Sequence, residues 1–190
     1  MTRFAALALT LLVASGASAL TVEGKSYAPT TTIEGQTLKL VGAGLRQKWF
    51  VDVYVLAAYS ASGAVDPATL VDADEPKYLR IDMLRNVSAE KMASTIGGSF
   101  EEHMPKNPSP ELKAQRAAFQ NYFKDECTKG SVLEFIYVPG TGTILKQNGK
   151  QLGAPLAGKS FARVLWDIYF GTDTCCESLK KGVLKGPQGQ

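Results

Sequence analysis

The chain has 190 residues, with 21 basic and 18 acidic side chains and a formal net charge of +3. That is enough sequence for one domain, and its basic residues are scattered without a stripe or cluster, which argues against nucleic-acid binding. One histidine and three cysteines, none in a C-x-x-C pair, are too few for a metal site, so neither metal nor cofactor is expected.

Met1-Thr2-Arg3 carries one positive charge, residues 4–14 are apolar (FAALALTLLVA), and Ala17-Ser18-Ala19 has the small-x-small form of a cleavage site. This is the pattern of a secretory signal peptide over residues 1–19. Its apolar run falls short of the ~18 or more residues of a spanning helix. The expectation is an exported protein, periplasmic or secreted and not membrane-spanning, with one domain over 20–186 and a disordered tail at 187–190. Export permits disulfides, and Cys127 can pair with Cys175 or Cys176, leaving the third thiol free or intermolecular.

Residues 20–37 hold two short strand-like pieces separated by Gly24, Pro29 and Gly35, expected as the first strands of an antiparallel sheet. Leu38–Ser60 predicts two longer strands. Leu38 and Leu40 alternate with Lys39 and Val41, and after a reversal at Gln47–Trp49 comes VDVYVLAAY, rich in β-branched and aromatic residues. Alternation puts Val51, Val53 and Val55 on one face and Asp52, Tyr54 and Leu56 on the other. Arg46 then sits beside Gly42 and Gly44 and near Tyr54. A buried guanidinium needs a partner, which is either an internal carboxylate such as Asp52 or Glu90, or an anionic ligand.

Residues 61–75 read as a loop with room for one helical turn, and Lys77–Arg85 as a further strand. Ser88 is a good N-cap, Val87 can staple onto Met92, and Met92, Ile96, Phe100 and Met104 form an i, i+4 stripe. Gly97-Gly98 within it costs about 1 kcal/mol per glycine relative to alanine, which points to a tightly crossed neighbouring element more than to a ligand. Ser109-Pro110 opens a second helix with Leu112, Phe119, Tyr122 and Phe123 on its apolar face. Ser131–Val138 is a strand, residues 139–143 turn it back, and Asn148-Gly149 marks a hairpin. A third helix covers 159–170, with Phe161, Leu165, Ile168 and Tyr169 on one face and Gly171 as its cap. Thr174-Cys175-Cys176-Glu177 reads as a capping box for a short last helix ending near Gly182. The order predicts an α+β fold, with helices on one face of an antiparallel sheet.

No catalytic constellation emerges. His103 has no obvious partner and reads as a solvated surface residue. Asp82, Glu101 and Glu102 sit on faces that read as solvated, the serines lack a nucleophile elbow, and no phosphate loop is present.

Three blocks, VGAGLRQKWFVDVYVLAAY, FIYVPGTGTILKQNGKQLG and KSFARVLWDIYFGTDT with its following LKKGVL, occur in the order found in the chalcone-isomerase-like superfamily. The chain resembles that superfamily and, more narrowly, its exported, bacterial-type members. The resemblance implies an open-faced β-sandwich, an antiparallel sheet with helices packed on one face and a ligand cleft between. In the superfamily, plant enzymes cyclise a chalcone with an arginine, a threonine, a tyrosine and an asparagine. Another branch binds fatty acids through the same arginine, with a tyrosine in the threonine's place. The arginine falls on Arg46 and the threonine position on Tyr54. The helix tyrosine and asparagine fall on Glu90 and Gly97, and the closing-helix hydroxyl at about Ala162 or Arg163. The enzyme's polar set is largely missing, so the resemblance implies a non-catalytic protein. Its Arg46 and Tyr54 would hold the carboxylate of a small amphipathic, fatty acid-like ligand. Two alternatives are an intramolecular lyase of the chalcone isomerase type and a protein-interaction module with a filled cleft. The sequence specifies no protein partner.

Overall fold

Glu23-Gly24 reverses the chain between two short strands, β1 (Leu20–Val22) and β2 (Lys25–Tyr27), which pair only with each other. The computed structural model describes residues 18–174 and 176–188, so all but the end of the expected signal segment lies outside the described residues, as do Cys175 and residues 189–190. After the ribbon come β3 (Thr30–Ile33), β4 (Gln36–Lys48), β5 (Val51–Ser60), β6 (Lys77–Met83), β7 (Val132–Val138), β8 (Gly142–Gln147) and β9 (Lys150–Gln151). Each pairs antiparallel with the next, giving a seven-stranded meander in sequence order. The ribbon is therefore not the start of the main sheet, as its sequence suggests. Leu20, Val22 and Tyr27 instead cover the sheet's outer face, packed with Leu38, Leu40, Val55, Tyr59 and Ile136.

This cover changes the environment of Asp82. Its carboxylate is 4% exposed, where the sequence suggested solvent. It accepts Tyr27 Oη at 3.0 Å and a two-pronged pairing from Arg80 at 2.9 and 3.0 Å. Burial and the facing carboxylate push the Tyr27 phenol well above its ordinary range.

The inner face carries the larger core, closed by the helices α1 (Pro67–Asp72), α2 (Ala89–His103), α3 (Pro110–Gln120), α4 (Lys159–Phe170) and α5 (Glu177–Val183). Their starts follow the sequence: the side chains of Asp66, Ser88 and Ser109 cap α1, α2 and α3. Helix α5 is the exception. Thr174 Oγ1 donates to the Ile168 carbonyl and accepts the Cys176 amide, so it ties α5 back to α4 in place of a capping box with Glu177. Tyr122 and Phe123 lie just beyond the end of α3, and Phe123 still reaches the core. Phe100, Phe119 and Phe161 join α2, α3 and α4 in one aromatic cluster with ring centroids 4.7–6.0 Å apart.

Glycines on β4 and α2 set how closely the layers approach. A Cβ on Gly44 would run into the Leu179 carbonyl oxygen, so α5 lies directly on β4. A Cβ on Gly97 would meet the Gln120 side chain, the crossed neighbour expected there, while Gly98 faces open space. His103 is not solvated: its Nδ1 lies 2.7 Å from the Ser99 carbonyl oxygen and its Nε2 is buried. Cys127 is a buried free thiol, its pKa raised by burial to about 11, and Cys176 is buried at the start of α5. Neither expected pairing of Cys127 is formed here, and Cys175 lies outside the described residues. No described helix is long and apolar enough to cross a membrane.

Candidate functional site

Between the inner sheet face and the helices lies a cavity of about 600 Å3, inside the ~300–1,000 Å3 span of small-ligand sites. Its floor is built by Tyr54 on β5, Ile81 on β6, and Leu133 and Phe135 on β7. Met92, Thr95, Ile96 and Ser99 of α2 form one wall, and Ile168 and Tyr169 of α4 another. The i, i+4 stripe of α2 explains this arrangement. Phe100 goes into the aromatic core, whereas Ile96 and Met92 reach the cavity one and two turns earlier.

Arg46 and Tyr54 both line this cavity. They are direct cross-strand partners on β4 and β5, so their side chains leave the same face. The register shifts between Arg46 and Gln47, leaving Val53 as the extra residue of a β-bulge. The bulge re-phases the alternation read from the sequence: Val51 and Val53 join Tyr54 at the cavity, and Asp52 turns to the opposite face. There Asp52 accepts Gln47 Nε2 at 2.7 Å. The bulge thus removes the carboxylate that simple alternation would put beside Tyr54.

Arg46 is consequently without an acidic partner among the described residues. Its Nη1 donates to the Gln47 carbonyl at 2.8 Å, which fixes one edge of the guanidinium. Its other N–H groups have no partner among the described residues, and neither Asp52 nor Glu90 pairs with it. Tyr54 is partly buried and packs against the inner core. Glu90, one of the positions corresponding to the enzyme's polar set, is exposed and does not line the cavity; Gly97 is covered by Gln120.

Three further cations, Lys48, Arg85 and Lys91, line the cavity with Arg46, and no aspartate or glutamate does. None of the four forms an ion pair among the described residues. Sequence reasoning singled out only Arg46 of this set. One signal was legible: Lys91 sits in the first turn of α2, where a cation opposes the helix dipole. The site therefore has an apolar interior, one oriented guanidinium–phenol pair and an uncompensated positive rim. Among the described residues no cluster of side chains could hold a metal ion.

The family model described as chalcone isomerase-like matches residues 19–185. No curated protein matches the sequence. Among the solved structures, the chain is similar to a fatty-acid binding protein of Arabidopsis thaliana. The TM-score is 0.71 at 16% identity, covering 88% of this chain and 96% of that one. At that identity the likeness concerns the fold, and the fold agrees with the antiparallel sheet and one-sided helical layer described above.

Proposed function

This chain belongs to the chalcone isomerase-like family, and we propose that it is a binding protein for a fatty acid or similar amphipathic carboxylate. One observation carries the reading: Arg46 and Tyr54 face each other across β4 and β5 at an apolar cavity without a single acidic lining residue. A guanidinium offers a planar fork to both carboxylate oxygens and a phenol adds a neutral donor. Each methylene of an acyl tail buried against Ile96, Leu133, Phe135 and Ile168 contributes about 0.8 kcal/mol. The tail therefore dominates affinity and the clamp sets orientation. The volume of the cavity supports this over a cleft filled by side chains. Export is part of the same proposal, supported by the apolar run at 4–14 and Ala17-Ser18-Ala19.

The test is displacement of a fluorescent fatty acid from the mature protein, with solvent extraction and mass spectrometry of whatever co-purifies. The expected result is saturable binding of long-chain carboxylates that outcompetes alcohols of equal length. Equal competition by the alcohols would refute recognition of the carboxylate. Turnover of an α,β-unsaturated ketone, lost in Arg46→Ala, would favour the lyase instead.

A further inference from the structure

The turn joining β4 to β5 consists of two residues, Trp49 and Phe50, between the paired Lys48 and Val51. They are 86% and 97% exposed, and Val51 beside them is 43% exposed. Of the described large hydrophobics only Val65 is otherwise so exposed, so three of the four form one continuous patch at the tip of a hairpin. Trp49 also has φ of +61°, a left-handed conformation that favours glycine and is strained for a bulky side chain. A tryptophan held in strained backbone and left 86% exposed adds nothing to either core cluster.

We propose that this turn is a docking surface for an anionic lipid bilayer. The inference rests on the cavity reading, because Trp49 lies on the cavity lining and the patch opens onto the same space. Trp and Phe are suited to the headgroup–acyl boundary, where an apolar ring is buried at the edge of a polar layer. The charges around the turn match that partner. Lys48, Arg46, Arg85 and Lys91 line the adjoining mouth, and each cation near an anionic surface strengthens attraction to it. Neither Asp52, which is turned to the opposite face and hydrogen-bonded to Gln47, nor Glu90 lines this mouth. A protein docked through this turn presents its cavity directly to the layer that holds amphipathic carboxylates.

Cosedimentation with vesicles tests this, using phosphatidylcholine alone and an equimolar mixture with phosphatidylglycerol. The protein carries its own reporter, since its second tryptophan, Trp166, is 1% exposed and contributes a constant buried signal. The mature chain is expected to sediment with the anionic vesicles, with a blue shift of Trp49 emission, and less at high salt. Phe50→Ser should weaken that association roughly tenfold or more and Lys91→Gln roughly fivefold. Phe50 does not line the cavity, so fatty-acid displacement in vesicle-free buffer should be the same in Phe50→Ser as in the parent. Failure of that displacement assay in the parent, with vesicle binding intact, would remove the cavity reading and leave docking standing. No sedimentation and no change in Trp49 emission would overturn docking. A concentration-dependent dimer abolished by Phe50→Ser would overturn it too, assigning the patch to a second copy of the chain.

Discussion

Replacing Arg46 by leucine separates the two contributions assigned to the cavity. Leucine keeps an apolar stem beside Tyr54 and removes the guanidinium, whose one described hydrogen bond goes to the Gln47 carbonyl rather than to a structural carboxylate. Little of the fold therefore depends on it, and the thermal midpoint should move by no more than a surface substitution would. Charge-assisted hydrogen bonds to a carboxylate contribute roughly 1.5–3 kcal/mol, a factor of roughly 10 to 150 in Kd. Each tail methylene contributes about 0.8 kcal/mol, or about fourfold. Calorimetric titrations of parent and Arg46→Leu with fatty acids from dodecanoate to hexadecanoate, and with their methyl esters, read both. The parent should prefer each acid over its ester by the larger factor, and Arg46→Leu should bind acid and ester alike. The increment per methylene should be the same in both proteins. An acid-to-ester ratio unchanged by the substitution would refute the clamp, because the arginine would then shape the cavity without reading charge.

Met92→Trp narrows the cavity from the α2 wall and should weaken hexadecanoate binding far more than octanoate binding in the same titration. Gly44→Ala drives a methyl into the Leu179 carbonyl where α5 lies on β4; a loss of roughly 1–3 kcal/mol is expected in denaturant unfolding. Lys77 is 1% exposed, donates to the Leu70 carbonyl at 2.8 Å, and is lowered by burial to a pKa of about 8 from 10.5. Between those values the unfolded chain holds a proton that the folded one has lost, so this group makes stability rise with pH, by about 3 kcal/mol in all. From about pH 9 the Cys127 thiol, raised by burial from 9.0 to about 11, stays protonated only in the folded state and offsets this rise, and above about pH 10 Tyr59 and Tyr137, pushed up to about 12 by burial, reverse the trend in the same way. Unfolding measured from pH 7 to 9 should show the rise, and Lys77→Met should abolish it.

Local signals carried most of the architecture. Ser88 and Ser109 announced their helices through capping, Asn148-Gly149 its hairpin, and the period-2 stretches their strands, because each depends on neighbours only a few residues away. The long-range features were not legible. Nothing near β1 and β2 says that they leave the sheet to cover its outer face, and so nothing says that Asp82 is buried against Tyr27. The bulge at Val53 was equally hidden. It is a property of how β4 and β5 register, and it decides that Asp52 leaves the cavity while Val51 joins it. Of the site, Arg46 and Tyr54 were found by resemblance and by the need of a guanidinium for a partner. Lys48, Arg85 and Lys91 were not: apart from the misplaced charge of Lys91 in the first turn of α2, exposed cations on β4, after β6 and on α2 carry no common pattern until the fold gathers them.

A crystal structure of residues 20–190 grown with hexadecanoate decides most directly whether the cavity holds a carboxylate. The expected result is a carboxylate within hydrogen-bonding distance of the Arg46 guanidinium and the Tyr54 hydroxyl, with the tail running between Ile96 and Ile168 over Leu133 and Phe135. A tail lying on the outer face of the sheet, or a carboxylate held away from both side chains with the cavity empty, would contradict it.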